Sequence, residues 1–123
     1  MKHIPATAGD WLRCPGYAKK PLLGAEDLGA DGSLVQLIEI APHTAVAEHY
    51  HDHCTEVFHV TRGQGRFVID GTIVDLVPGD TLTCQPGEVH STENLGDEVF
   101  AYVVFKTNAR PGDITWLEGA PPS

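Results

Sequence analysis

The sequence is poor in most of the features that announce a function. Its three cysteines, Cys14, Cys54 and Cys84, lie far apart and include no C-x-x-C pair, which argues against a disulfide framework and a thiolate zinc site and fits a reducing cytoplasm. Eight Lys and Arg stand against seventeen Asp and Glu, for a formal net charge of -9, and the basic residues form no cluster longer than Lys19-Lys20. Such a surface repels phosphate backbones, so no nucleic-acid partner is expected. No apolar run approaches the ~18 to 20 residues a membrane helix needs. The N-terminus, Met1-Lys2-His3-Ile4-Pro5, lacks the unbroken apolar stretch of a secretory signal, and a cytoplasmic protein is expected. The chain of 123 residues has room for one domain and one core, with no repeat, linker or low-complexity tract inside it.

What is present is strand signal. Runs of β-branched and aromatic residues are cut every eight to twelve residues by Gly, Pro, Asn or Asp, the spacing of an all-β sandwich or barrel, and no helix is expected. After an irregular arm through about Leu23, strands are predicted over Ser33–Ile40, Ala47–His51 and Glu56–Thr61. A hairpin follows, Gly65–Ile69 and Thr72–Leu76 around Asp70-Gly71, because Asp-Gly accepts the positive φ angles of a two-residue turn. Short strands over Thr81–Cys84 and Val89–Glu93 are set off by Pro78-Gly79-Asp80 and Pro86-Gly87. The last strand, Glu98–Lys106, is apolar on both parities through its middle, as a strand covered on both faces would be. The domain reading is an arm and edge strand over residues 1–30, a barrel core over 31–107, and a tail over 108–123 packed on the barrel, with the Gly-Ala-Pro-Pro-Ser end expected to fray.

Histidine is the outlier, since five of seven (His43, His49, His51, His53 and His59) fall within seventeen residues. His49 and His51 are one residue apart on a predicted strand, so both leave the same face and their imidazoles can converge. Glu56 follows a short loop and begins the next strand, with Phe58 and Val60 inward beside it and His59 outward. His90, beyond the Pro86-Gly87 turn, is the fourth candidate, on a strand that can pair beside the first two. Three imidazoles and a carboxylate suit one divalent first-row metal: iron, manganese, nickel, cobalt or zinc. Around an octahedral ion they leave two positions open for water or substrate.

These residues carry a resemblance. The cupin family's first motif, G-x5-H-x-H-x3-4-E-x6-G, is matched by HYHDHCTEVFHVTRG from His49 to Gly63, and the second, G-x5-P-x-G-x2-H-x3-N, resembles GDTLTCQPGEVHSTEN from Gly79 to Asn94. His43 stands where the first motif begins with Gly, and Gln85 where the second has its first Pro; both are turn positions. The resemblance covers roughly residues 30 to 107 and implies a single-domain double-stranded β-helix, or jelly-roll, barrel. It also implies a metal on His49, His51, Glu56 and His90, and often a homodimer. It implies no reaction, since the family includes dioxygenases, isomerases, lyases, cyclases and proteins that only bind.

The functional expectation is an enzyme in which a small oxygen-bearing metabolite binds the metal, which acts as Lewis acid and template. Dioxygenase-type chemistry is placed first, isomerase or lyase chemistry next, and non-catalytic binding of a small ligand is the competing class. His53 and Tyr102 are the candidate catalytic residues, a proton shuttle at the mouth and a substrate-orienting hydroxyl. Their bland readings are a solvated loop histidine and a tyrosine packed in the wall. Cys54 and Cys84 read as buried small hydrophobes, Glu93 and Asn94 as turn or capping residues, and Trp11 and Tyr17 as arm residues that cover the mouth or meet a second subunit.

Overall fold

Alternation along the strand that carries Glu56 sets the architecture: Glu56, Phe58 and Val60 are buried while His59 is exposed, so one face belongs to the interior and the other to solvent. The computed structural model describes residues 1–118. Their elements are β1 (Leu12–Cys14), β2 (Tyr17–Leu23), α1 (Ala25–Leu28), β3 (Leu34–Ile40), β4 (Thr44–Tyr50), β5 (Thr55–Arg62), β6 (Gly65–Ile69), β7 (Thr72–Leu76), β8 (Thr81–Cys84), β9 (His90–Asn94), β10 (Phe100–Thr107) and β11 (Thr115–Trp116). They form two antiparallel sheets, in the orders β1-β2-β3-β10-β5-β8 and β11-β4-β9-β6-β7. This is the all-β jelly roll expected from the sequence, with interior-facing side chains from both sheets filling the space between them.

The core is a cluster of Ile38, Ile40, Val46, Phe58, Val60, Phe67, Ile69, Leu76, Phe100, Tyr102 and Val104. At its centre Phe58 meets Phe67 at 4.7 Å between ring centroids, and Tyr102 lies 5.2 Å from Phe100 and 5.5 Å from Phe58, tilted and edge contacts that add to the area they bury. The rings fill one part of the interior, and the cluster of histidines takes another.

Several local expectations are corrected. The arm is not irregular: Leu12–Cys14 and Tyr17–Leu23 form a hairpin, and β2 continues the sheet beside β3. One helical turn, Ala25–Leu28, occupies a stretch read as helix-free; the Asp27 carboxylate accepts the Gly24 N–H at 2.9 Å and Gly29 ends the turn at φ 66°. Four residues are too few for a 3.6-residue period to show. Strand β4 starts three residues before the expected Ala47 and stops at Tyr50, so His51 lies just past its end. Glu98–Lys106 is not the last strand, because β11 follows and pairs with β4. The expected fraying of Gly119–Ser123 lies outside the described residues.

The motif's turn residues have physical reasons. Asp70 and Gly71 take φ 46° and 81°, the pair of positive angles a two-residue hairpin turn requires. Gly63 adopts φ 72°, and a Cβ there would lie 2.2 Å from the Val99 carbonyl oxygen. Asn94, fully buried, donates to the Ile40 and Glu98 carbonyls at 3.0 and 2.7 Å and accepts from the Gly96 N–H at 3.0 Å, tying the β9–β10 loop to β3. His43 is itself in the left-handed region at φ 56°, the conformation that explains why the motif favours Gly there. Gln85 uses the backbone N–H that a proline would lack, donating to the Glu88 carboxylate at 2.6 Å.

Gly63→Ala is expected to lower stability by more than about 2 kcal/mol, because left-handed strain adds to a backbone clash. Denaturant unfolding of both proteins checks this, and a variant within experimental error of wild type would show that the β5–β6 turn can relax around the methyl group.

Candidate metal centre

Both sheets contribute to the cluster. His49 on β4 and His90 on β9 are directly opposed in the five-stranded sheet, next to a bulge that follows Val46. Glu56 on β5 comes from the other sheet, where it opposes Cys84 on β8 and Lys106 on β10. His51 leaves the end of β4 and turns inward from the loop. All four expected ligands are buried, and one ligand nitrogen from each of His49, His51 and His90 can be chosen so that the three lie within 4.8 Å of one another. The Nε2 atoms of His51 and His90 lie 2.9 and 3.2 Å from Oε1 of Glu56.

The second nitrogen of every ring is committed elsewhere. Nδ1 of His49 donates to the Ala47 carbonyl at 2.8 Å, Nδ1 of His51 to the Asp113 carbonyl at 2.6 Å, and Nδ1 of His90 to the Glu88 carbonyl at 3.0 Å. A carbonyl only accepts, so each Nδ1 carries a proton and each neutral ring presents an Nε2 lone pair. Oε1 of Glu56 is then buried without a donor, facing lone pairs at hydrogen-bond distance. An extra proton on a ring or a cation between the ligands removes that conflict. The outward Nδ1–H bonds are the arrangement that orients metal-binding histidines. The donor set therefore fits a metal ion, and the cluster could hold one.

The charges respond in the same sense. Burial, and then the neighbouring His90, hold His49 down at about 4, so it is neutral at ordinary pH. Burial also acts to lower His51, but the facing Glu56 carboxylate outweighs it and raises the ring above its usual value. For Glu56, burial favours the neutral acid, yet the facing His51 and His90 rings, which can donate from Nε2 only when one carries an extra proton, and the charge of Lys106 keep the carboxyl well below the usual carboxylate range. Cys84 sits 3.2 Å from Nδ1 of His90, and burial pushes its thiol up to about 12; Cys54 is pushed up to about 11 in the same way. Both remain thiols, packed as small hydrophobes.

A cavity of about 80 Å³ opens over the cluster, with Tyr17, Gln36, Phe58, Tyr102, Lys106 and Trp116 among its walls. That is room for a handful of waters or a molecule of few heavy atoms. Tyr102 is in the wall as expected, and burial followed by the Glu56 charge holds its hydroxyl protonated. His53 is exposed on the loop and does not line the cavity. Arg66 is spent on Asp75, with its Nε 2.8 Å from the carboxylate.

Sequence reasoning missed the contribution of the tail. The Asp113 carboxylate accepts the backbone N–H groups of Asp52 and His53 at 2.8 and 3.0 Å, while its carbonyl orients His51. Trp116 on β11 opposes His49 and packs on its ring at 4.6 Å. No spacing rule joins Asp113 to His51 across sixty-two positions. Lys106 was legible in principle, since it shares the parity of Tyr102 and Val104.

The centre predicts a pH dependence. His51, with its pKa raised above the ordinary 6.5, stabilises the metal-free protein fully below 6.5, and that contribution is lost as pH rises through the raised value. Glu56 adds stability above its ordinary 4.5, lost only on acidification through its lowered value. A metal requires neutral His51, so uptake releases its proton and tightens with rising pH. The increase in melting temperature caused by Mn(II) should grow between about pH 6 and 8; a shift that stays flat or shrinks would contradict this assignment.

The comparisons with known proteins agree with the geometry. A family model described as Cupin domain matches residues 36–106. The tetracenomycin polyketide synthase protein TcmJ of Streptomyces glaucescens is 32% identical over 91 residues, 74% of this chain and 60% of that protein. An oxalate-binding protein of Thermotoga maritima is 30% identical over 76 residues, 62% of this chain and 63% of that protein. The chain thus spans under two thirds of the length of these relatives. A crystal structure from Thermotoga maritima, described as a predicted oxalate decarboxylase, superimposes with a TM-score of 0.80 at 21% identity, over 87% of this chain and 99% of the other. With the two motifs in place, the jelly roll around them and the family model spanning both, the chain belongs to the cupin family.

Proposed function

We propose that this cupin is a metal-dependent enzyme that takes a small oxygen-bearing metabolite onto a divalent ion held by His49, His51, Glu56 and His90, with dioxygenase-type chemistry placed first. The observation that carries this reading is the unpartnered Oε1 of Glu56, facing imidazole lone pairs on the floor of a cavity. These four residues would hold the ion and leave part of its coordination shell for substrate. When bound, the ion supplies Lewis acidity and a template, and iron adds redox chemistry. The chain's own residues do the rest. Phe58, Phe67 and Trp116 keep the cavity wall apolar, and the Tyr102 hydroxyl, held neutral, is available to donate to a substrate oxygen. His53, on the solvent side of the loop, is the accompanying proposal for exchanging a proton with water.

Isomerase or lyase chemistry at a redox-inert metal, and binding without turnover, are the alternatives. The second is in keeping with the name of the oxalate-binding relative. Nucleic acid and membrane partners are absent from the proposal: the net charge is -9, and among the described residues no helix is long and apolar enough to cross a bilayer.

Elemental analysis of protein purified without chelator tests the metal. About one ion per chain is expected in wild type, lost in His49→Ala and His90→Ala and held more weakly in Asp113→Ala. Absence of metal after reconstitution would overturn the reading. Oxygen uptake by iron-loaded protein with a panel of small carboxylates, enols and diols separates the chemistries: uptake supports the oxygenase, while product formation without uptake points to the isomerase or lyase.

A cytoplasmic homodimer completes the proposal. Trp11 and Leu12 are exposed at the edge strand β1, and Phe105 on the outer face of β10, as apolar surface a second subunit would cover. Light scattering at twice the single-chain mass of 13.3 kDa is expected; a particle of single-chain mass would remove the dimer.

A further inference from the structure

Lys106 is the one lysine or arginine among the described residues that line the cavity. It is there because β10 alternates: Tyr102, Val104 and Lys106 share a face, and Lys106 is directly opposed to Glu56 on β5. Its Nζ lies 3.8 Å from Oε2 of Glu56, an ion pair beyond hydrogen-bond length. Among the described residues no hydrogen bond satisfies that ammonium. Lys20, the buried lysine of β2, instead gives its Nζ to the Ala6 carbonyl at 3.0 Å. One lysine is tied to the backbone, and the other keeps three N–H donors for whatever enters the cavity.

The charge balance of the lining points the same way. With three neutral imidazoles, Glu56 and Lys106 cancel, so a divalent ion would leave the cavity with a net charge of about +2. A partly buried site of that charge favours an anion over a neutral diol or enol. The volume of about 80 Å³ restricts the anion to a few heavy atoms. Gln36, opposite Val104 on β3, adds an uncharged amide to the same wall and no negative charge.

Resting on the metal-dependent reading above, we propose that Lys106 is the anion-recognising residue of this cavity and that its ligand is a small carboxylate. The ligand's negative charge is met by the metal on one side and by the ammonium on the other. This narrows the substrate class from oxygen-bearing metabolites in general to carboxylates small enough to share the cavity with Lys106.

The test uses full-length Mn(II)-loaded protein with malonate as the anionic probe and malonamide as its neutral counterpart, both measured by calorimetry. Lys106→Met and Lys106→Gln remove the charge with different stems, so that one failure to fold does not end the test; metal content and melting temperature are recorded for each. Malonate affinity is expected to fall about tenfold or more in both neutral variants. It should stay within a few-fold of wild type in Lys106→Arg, and weak malonamide binding should not change. Neutral variants that hold metal and bind malonate as wild type does would overturn the role of Lys106 while leaving the metal centre standing. A wild type that holds metal but binds malonate no better than malonamide would overturn the carboxylate assignment. A wild type without metal would overturn the proposed function, which elemental analysis reads separately.

Discussion

Glu56 puts a carboxylate in the interior of a barrel whose other contents are mostly aromatic and aliphatic, and an ion buried there without compensation costs several kcal/mol. The surrounding structure meets that cost from two sheets at once. His51 and His90 approach one carboxylate oxygen, Lys106 the other, and each histidine is turned to that task by a backbone carbonyl behind it. Without a cation or an extra proton the arrangement remains unsatisfied, and that is the physical reason for reading it as a metal centre.

The supports behind the ligands come from segments with little in common except position. Ala47 and Glu88 lie two residues before the histidines they hold, so their role follows from local chain geometry. Gln85 fixes Glu88 through its backbone N–H, and Thr55 bonds the Gln85 amide at 3.2 Å, which links the turn before β9 to the start of β5. Asp113 and Trp116 arrive from the tail and reach His51 and His49 across more than sixty positions. The departure at Gln85 thus does work that a proline could not.

A shared jelly roll does not decide chemistry. The site is characterised by its walls: among the described residues, a small volume, one lysine cation, one carboxylate, three imidazoles and, for most of the remainder, aromatic and aliphatic surface. Those features, more than the fold, are the basis for narrowing the ligand, and they depend on which residues of β3, β5 and β10 face inward.

Period-two alternation, turn chemistry and short residue spacings are local properties, so the hairpin, the turn glycines and the candidate ligand positions were legible in the chain itself. The outward face of His59 and the inward face of Phe58 follow from the same rule. Strand and turn spacing indicated an all-β sandwich or barrel, and the jelly roll followed from the resemblance that the two motifs carry. That Lys106 opposes Glu56, that Asp113 orients His51 and that Trp116 covers His49 emerges only from the folded chain. Cross-strand register and tail docking join residues far apart in the chain, and no local periodicity encodes such long-range contacts. The helical turn at Ala25–Leu28 was missed because four residues are too few to show a period, and the hairpin in the arm because Tyr17–Leu23 carries Lys19-Lys20 and Pro21 where a strand signal would alternate, so packing against β3 stabilises it.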